Sequence, residues 1–310
     1  MAMIKKYKLF NQIKHYDWGS VSILPEFLGI KNKKKLPYAE LWMGTHRSAP
    51  SRTRKNIKKV NLSEINGDLP FLFKLLAVDK PLSIQVHPNK EQAAEGFDRE
   101  DRAGLSLDDP KRNYKDKNSK NEMICALSPF TLMAANNEIT LQPLEALFIP
   151  CGTPHSYKSG FGIELMNNSD NVIRGGLTNK HIDMEEFNKI VSKDNFIPQI
   201  IKPAGQDVFN YPVPTTEFSL TLIRNKGKNK LPICLEDMAI CIVTEGVLKI
   251  EGKKYKKGES FFVPKENKNL ILEGEFVLFG ASSKNFLTNS SVPPPNLRFD
   301  VCVNSSGSNV

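Results

Sequence analysis

Two short stretches of this chain repeat one pattern. Glu145-Ala146-Leu147-Phe148-Ile149-Pro150 and Glu259-Ser260-Phe261-Phe262-Val263-Pro264 both begin with glutamate, end with proline and are largely apolar between. Thr244 to Gly252 precedes the second copy and reads strand–turn–strand. Two similar all-β units account for such an echo, and the expected architecture is mainly β: two jelly-roll domains with a few short helices. A length of 310 residues suits two domains, divided here as 1–200 and 201–310. In register, His155 of the first copy falls opposite Asn269 of the second. If one unit carries chemistry, it is the first.

The chemistry concentrates at Leu82-Ser83-Ile84-Gln85-Val86-His87-Pro88, a strand that stops at a proline. Side chains two apart on a strand share a face, about 6.5 Å apart along it. Gln85 and His87 therefore look one way, while Ile84 and Val86 look the other. His155 sits in a matching setting, next to Pro154 after a tight turn. The chain has five histidines, and these two are the ones beside proline at strand ends. Glu122, which opens the apolar run Met123 to Leu127, is the best-placed carboxylate. Two histidines and a carboxylate suit Zn²⁺ or non-haem iron, with Gln85 as a further oxygen ligand.

The five cysteines (Cys125, Cys151, Cys234, Cys241, Cys302) lack CxxC spacing and read as reduced, mostly buried thiols of a cytoplasmic protein. The N-terminus has positive charge but no long apolar run, so no signal peptide is read there. No stretch reaches the roughly 20 apolar residues that span a bilayer. The net charge is +9, yet the densest basic clusters, 31–35 and 52–55, lack interleaved aromatics. Nucleic-acid and membrane partners are not expected. A positive field suits an anionic small substrate instead.

Several local expectations follow. Lys74 lies inside Phe71-Leu72-Phe73-Lys74-Leu75-Leu76, where it either snorkels to the surface or is aimed at a site; base rates slightly favour the surface. Asn89 caps a short helix over Lys90 to Glu95, which Gly96 ends. The charged segment Asp98 to Lys120 reads as a long loop of the kind that forms lids. Asp183 opens a helix with Glu186 completing a capping box. The polar run 304–309 reads as a mobile tail.

These residues fall in motifs of a known family. From about Lys8 to Phe187 the chain resembles the type I phosphomannose isomerases, zinc enzymes of the cupin superfamily. The resemblance rests on Tyr16-Asp17-Trp18-Gly19-Ser20, Glu40-Leu41-Trp42-Met43-Gly44-Thr45-His46, Pro81 to Pro88, Asn113-Tyr114-Lys115-Asp116, Lys120 to Met123, and Pro150 to Lys180. It implies two cupin-type jelly rolls, Zn²⁺ as cofactor, and Gln85, His87, Glu122 and His155 as metal ligands. Arg174 matches the family's active-site arginine, and Lys120 and Asp170 match polar residues near its substrate. The implied reaction interconverts mannose 6-phosphate and fructose 6-phosphate through an enediol. Asp170, Glu164 and a zinc-bound water are the candidate bases. A small sugar phosphate is the expected partner and a monomer the expected state.

The chain departs from the family at three places. Ser119-Lys120-Asn121-Glu122 stands where His-Lys-Pro-Glu is usual, and Ala134-Ala135-Asn136-Asn137 replaces a segment near Gly-Phe-Arg. Only 32 residues separate Glu122 from His155, so the family's large helical insertion is absent. These changes motivate an alternative, a non-catalytic cupin that binds sugar phosphates.

Overall fold

Alternation along four neighbouring strands decides what faces what. In the computed structural model, Phe71–Val78 pairs with Glu40–Met43 on one side and with His155–Asn167 on the other. His155–Asn167 pairs in turn with Glu122–Ala126. Phe71, Phe73, Leu75 and Ala77 join Leu41, Met43, Met123, Cys125, Phe161, Ile163 and Leu165 in one buried apolar core. The alternate residues turn to the opposite face: Glu40, Trp42, Lys74, Glu122, Glu164 and Met166. Since successive side chains alternate, one wall is apolar glue and the other an interior lined with charge.

The described residues are 5–288 apart from Asn195, Lys228 and Lys268. Cys302 and the 304–309 tail lie outside them. The four strands above belong to an eleven-stranded sheet system that ends with Ile200–Ile201 paired to Ala146–Leu147. A seven-stranded sheet and a three-stranded sheet form the second half. Tyr7–Lys8 pairs with Phe261–Phe262 of that second half before the chain enters the first. Leu220, Leu222, Ile240, Ile242, Phe279 and Ala281 press onto the same core as Phe71 and Phe73. The interior of the second half is filled by Ile223, Cys241, Val243, Leu248, Tyr255, Phe261 and neighbours. Among the described residues, apolar packing there leaves no counterpart of the charged interior.

The architecture is mainly β, with four helices among the described residues, none of them long and apolar enough to cross a membrane. Between Glu122 and His155 the chain forms only strands and turns, so no helical insertion is present. The echo has a structural basis. Gln142 N donates to Glu145 Oε2 and Lys256 N to Glu259 Oε2, both at 2.9 Å, so each glutamate locks the same turn before an equivalent strand. Cys125, Cys151, Cys234 and Cys241 are free thiols.

Three local expectations need correction. The helix after Asn89 runs Lys90–Arg102, through Gly96, with the reciprocal Asn89–Gln92 capping box at its start. Gly96 does not stop it because its bare Cα makes room for Tyr114: a Cβ there would sit 2.4 Å from the buried ring. Gly96→Ala would gain up to about 1 kcal/mol in helix propensity but overpack a ring held by Glu186 at 2.6 Å. Net destabilisation of roughly 1–3 kcal/mol is expected, read by urea titration. The helix Met184–Ile190 keeps only half its capping box. Asp183 accepts from Glu186 N, but the Glu186 carboxylate is taken by Tyr114 and Arg99. Finally, the rest of the charged segment is a pinned wall rather than a lid. Asp116 accepts from Ser169 Oγ, Asp170 N and Asn118 N, and Asn171 Oδ1 accepts from Lys115 N.

Candidate metal centre

Strand register assembles the site. Gln85, in Ile84–Val86, is paired to His155 on one side and to Arg174, in Ile173–Gly176, on the other. Three polar residues thus form a row across three strands. His87 follows two residues on. Its backbone is tied to the turn before His155 by Gly152 N donating to His87 O at 2.8 Å. Glu122 arrives from the adjoining sheet, opposite Met166.

Both imidazoles are oriented from behind. His87 Nδ1 lies 2.8 Å from Asn171 O, and His155 Nδ1 lies 2.9 Å from Thr153 O. A carbonyl can only accept, so Nδ1 donates in each ring and Nε2 carries the lone pair. His87 Nε2 is 3.2 Å from Glu122 Oε1, and His155 Nε2 is 3.1 Å from Glu122 Oε2. His87, Glu122 and His155 are buried, and their donor atoms lie within 4.8 Å of one another. Two imidazole lone pairs face two carboxylate oxygens, an arrangement that repels itself without a cation between. The donor set fits a divalent metal such as Zn²⁺.

Electrostatics agree with that donor set. Burial, then the Lys120 ammonium, pushes the His87 imidazole down to about 3, so the ring is neutral and free to ligate. Burial opposes charge on Glu122, but the Lys120 ammonium leads the interactions that hold its carboxyl well below the usual range. Lys120 Nζ stands 2.9 Å from Glu122 Oε1 and 3.4 Å from His87 Nε2. Gln85 Nε2 is 3.4 Å from His155 Nε2, so its amide faces the same point.

The centre opens on a cavity of about 1100 Å³ whose wall includes Gln85, Lys120, Glu122, Asp170 and Arg174. Arg174 is half-buried and, among the described residues, makes no ion pair with a carboxylate, and burial pulls its guanidinium below its ordinary value. Lys180 is nearby, its ammonium 5.6 Å from the Tyr16 ring, and it too is lowered, by burial and then Arg174. Asp170 lies at another part of the wall, 3.1 Å from His46 Nε2. Ser119 does not reach the centre; its hydroxyl accepts from Asn167 Nδ2 at 3.3 Å.

Lys74 takes the less favoured of its two expected placements, aimed at the site rather than at the surface. It is 6% exposed, lies on the cavity wall and bonds Glu164 Oε2 at 2.8 Å. Both faces of its strand are covered, so there is no surface within reach. Burial disfavours its charge, but Glu164 and Glu40 outweigh that and raise it. Glu164 is raised in turn, by burial first. Tyr157 links this pair to the centre, its hydroxyl 3.4 Å from Glu122 Oε2.

Comparison with known proteins gives a consistent picture. Residues 6–138 match the family model "Phosphomannose isomerase type I, catalytic domain", a span holding Gln85, His87, Lys120 and Glu122. The mannose-6-phosphate isomerase of Salmonella typhimurium is 30% identical, covering 83% of this chain and 94% of that protein. The alignment runs over 374 residues, more than the chain's own 310, so it carries long gaps on this side. The Escherichia coli mannose-6-phosphate isomerase is 28% identical over 86% of this chain and 97% of its own length. Among solved structures, a zinc-bound mannose 6-phosphate isomerase superposes with a TM-score of 0.82 at 28% identity, covering 90% of this chain and 99% of that one. The Salmonella typhimurium enzyme bound to fructose 6-phosphate and zinc gives 0.81 at 28% identity, with the same coverage.

Proposed function

The chain belongs to the type I phosphomannose isomerase family, and from that premise we propose that it interconverts mannose 6-phosphate and fructose 6-phosphate with a zinc ion held by His87, Glu122, His155 and Gln85. The observation that carries the proposal is the pair of neutral imidazole Nε2 atoms facing one buried carboxylate at the wall of a cation-lined cavity. Gln85 completes the set when its amide turns over and presents Oε1 to the centre. Bound there, zinc acts as a Lewis acid that polarises the sugar oxygens.

The chain's own residues do the rest. Arg174 and Lys180 take the phosphate; Arg174 is half-buried and, among the described residues, makes no ion pair with a carboxylate, so a dianion gains more from it than from an exposed lysine. Lys120 and Asp170 meet sugar hydroxyls from opposite sides. Isomerisation moves a proton between C1 and C2, and the buried Lys74–Glu164 pair is the acid–base unit set into the cavity wall. Within the pair the Lys74 ammonium donates to the Glu164 carboxylate at 2.8 Å.

The test is a coupled isomerase assay with mannose 6-phosphate. Turnover is expected, lost with a zinc chelator and restored by Zn²⁺. No turnover by zinc-loaded protein would sink the reading. Arg174→Ala should leave the zinc content unchanged and lower kcat/KM by about 10²-fold, mostly through KM, in line with one lost charge-assisted contact. Equal losses on phosphorylated and unphosphorylated ketohexose would remove Arg174 from the phosphate site.

A further inference from the structure

Asp170 does not stand unsupported in the cavity wall. Its main-chain N–H donates to Asp116 Oδ2 at 2.9 Å, which fixes the backbone. Its carboxylate meets His46 Nε2 at 3.1 Å. On the far edge of that ring, Ser48 Oγ lies 3.0 Å and Ser48 N 3.3 Å from Nδ1. A backbone N–H can only donate, so Nδ1 is the acceptor and the ring hydrogen sits on Nε2, aimed at Asp170. The ring itself is clamped. It is buried and meets Trp42 edge-on at 4.9 Å between centroids, and its carbonyl accepts from Ala49 N.

Ser48 and Asp170 both line the main cavity. His46 stands behind them and lines a side cavity of about 210 Å³. The order is hydroxyl, imidazole, carboxylate, with every hydrogen pointing toward the carboxylate. A hydroxyl–imidazole–carboxylate chain of this polarity fixes tautomer and ring orientation by hydrogen bonds. Here the carboxylate end faces the cavity and the imidazole is the support.

We propose that His46 is a positioning residue: it holds the Asp170 carboxylate in one orientation at the cavity wall, and Ser48 selects the His46 tautomer that makes this hold. The inference rests on the reading above, in which Asp170 meets a sugar hydroxyl during isomerisation. Burial opposes charge on Asp170, and the His46 hydrogen bond, joined by the charges of Lys120 and Lys74, brings its carboxyl below the ordinary value, in keeping with the same assignment.

The test uses the zinc-loaded full chain. His46→Gln keeps an amide N–H at the reach of Nε2, while His46→Leu fills the space without a donor. Leucine is expected to lower kcat by about 10²-fold with KM changed less than about threefold, and glutamine is expected to stay within about tenfold of wild type. Asp170→Asn should cost about as much as His46→Leu, and the double variant no more than either, because the two side chains act as one unit. Equal losses in the leucine and glutamine variants, or additive losses in the double variant, would overturn the proposal and leave His46 a loop clip. Nitrogen NMR of the His46 ring gives a readout separate from turnover. The Nε2–H tautomer is expected in wild type, and an Nδ1–H tautomer overturns the inference. Inactive wild-type protein that shows the Nε2–H tautomer locates the failure in the proposed reaction instead.

Discussion

His87→Ala is expected to empty the centre of zinc and abolish isomerisation. The side chain supplies one of two neutral nitrogens to a buried carboxylate, and nothing nearby replaces it. Lys120, 2.9 Å from Glu122 Oε1, then becomes the sole counter-charge at that oxygen. A cation donor fits there as well as a ligand would not, so the variant should fold with Lys120 drawn onto Glu122. Loss of an outer partner of a metal ligand costs roughly 10- to 100-fold in metal affinity, so loss of the ligand itself should exceed about 10²-fold. Metal analysis after dialysis, paired with the coupled assay, checks both halves. Zinc retained at full stoichiometry with wild-type turnover would remove His87 from the centre. A smaller effect is expected from loosening what stands behind the ring. Asn171 is fully buried, its side chain stitches 115–118 to 169–171, and its carbonyl takes His87 Nδ1.

What could be read in the sequence follows from how far apart the deciding partners lie. The strand carrying Gln85 and His87 shows its polarity within seven residues, and period-2 alternation is a local property. The echo at Glu145 and Glu259 is local as well, since each glutamate locks a turn three residues back. The two placements of Lys74, surface or site, could not be separated locally because Phe71–Val78 is buried along its whole length, so no polar alternation marks its two faces. The missing consideration was geometric. A lysine in the middle of an eight-residue strand covered on both sides has nowhere to snorkel, and its counter-charge, Glu164, sits on a partner strand far along the chain. Gly96 was misread for a related reason. Glycine weakens a helix locally, and only the approach of Tyr114 from outside the helix explains its presence. His46 lay inside a quoted motif without a role, because its significance comes from Asp170, which the sequence does not bring near it. The pairing of Tyr7–Lys8 with Phe261–Phe262 is equally non-local.

Lys74→Met separates stability from chemistry at the floor of the cavity. The substitution keeps the stem against Trp42, whose ring centroid lies 4.9 Å from the ammonium, and deletes the charge. Glu164 is then buried without its partner, in the field of Glu122 and Glu40. Removing one member of a buried pair costs about 3–5 kcal/mol, because the other charge stays uncompensated. Urea unfolding should show a loss of that order, and isomerase activity should fall by about 10²- to 10⁴-fold, the range for a lost general acid–base group. The single variant alone cannot tell a damaged site from a missing proton carrier. The double variant Lys74→Met/Glu164→Leu can. Replacing a whole buried ion pair with apolar side chains is often neutral or stabilising, so most of the lost stability should return. Activity should not return, because both members of the proposed acid–base pair are gone. Recovery of stability with activity still absent, and zinc still bound, assigns the pair to proton transfer. Recovery of both would make Lys74 a structural counter-charge for Glu164 and shift the acid–base role to Asp170, another carboxylate on the cavity wall.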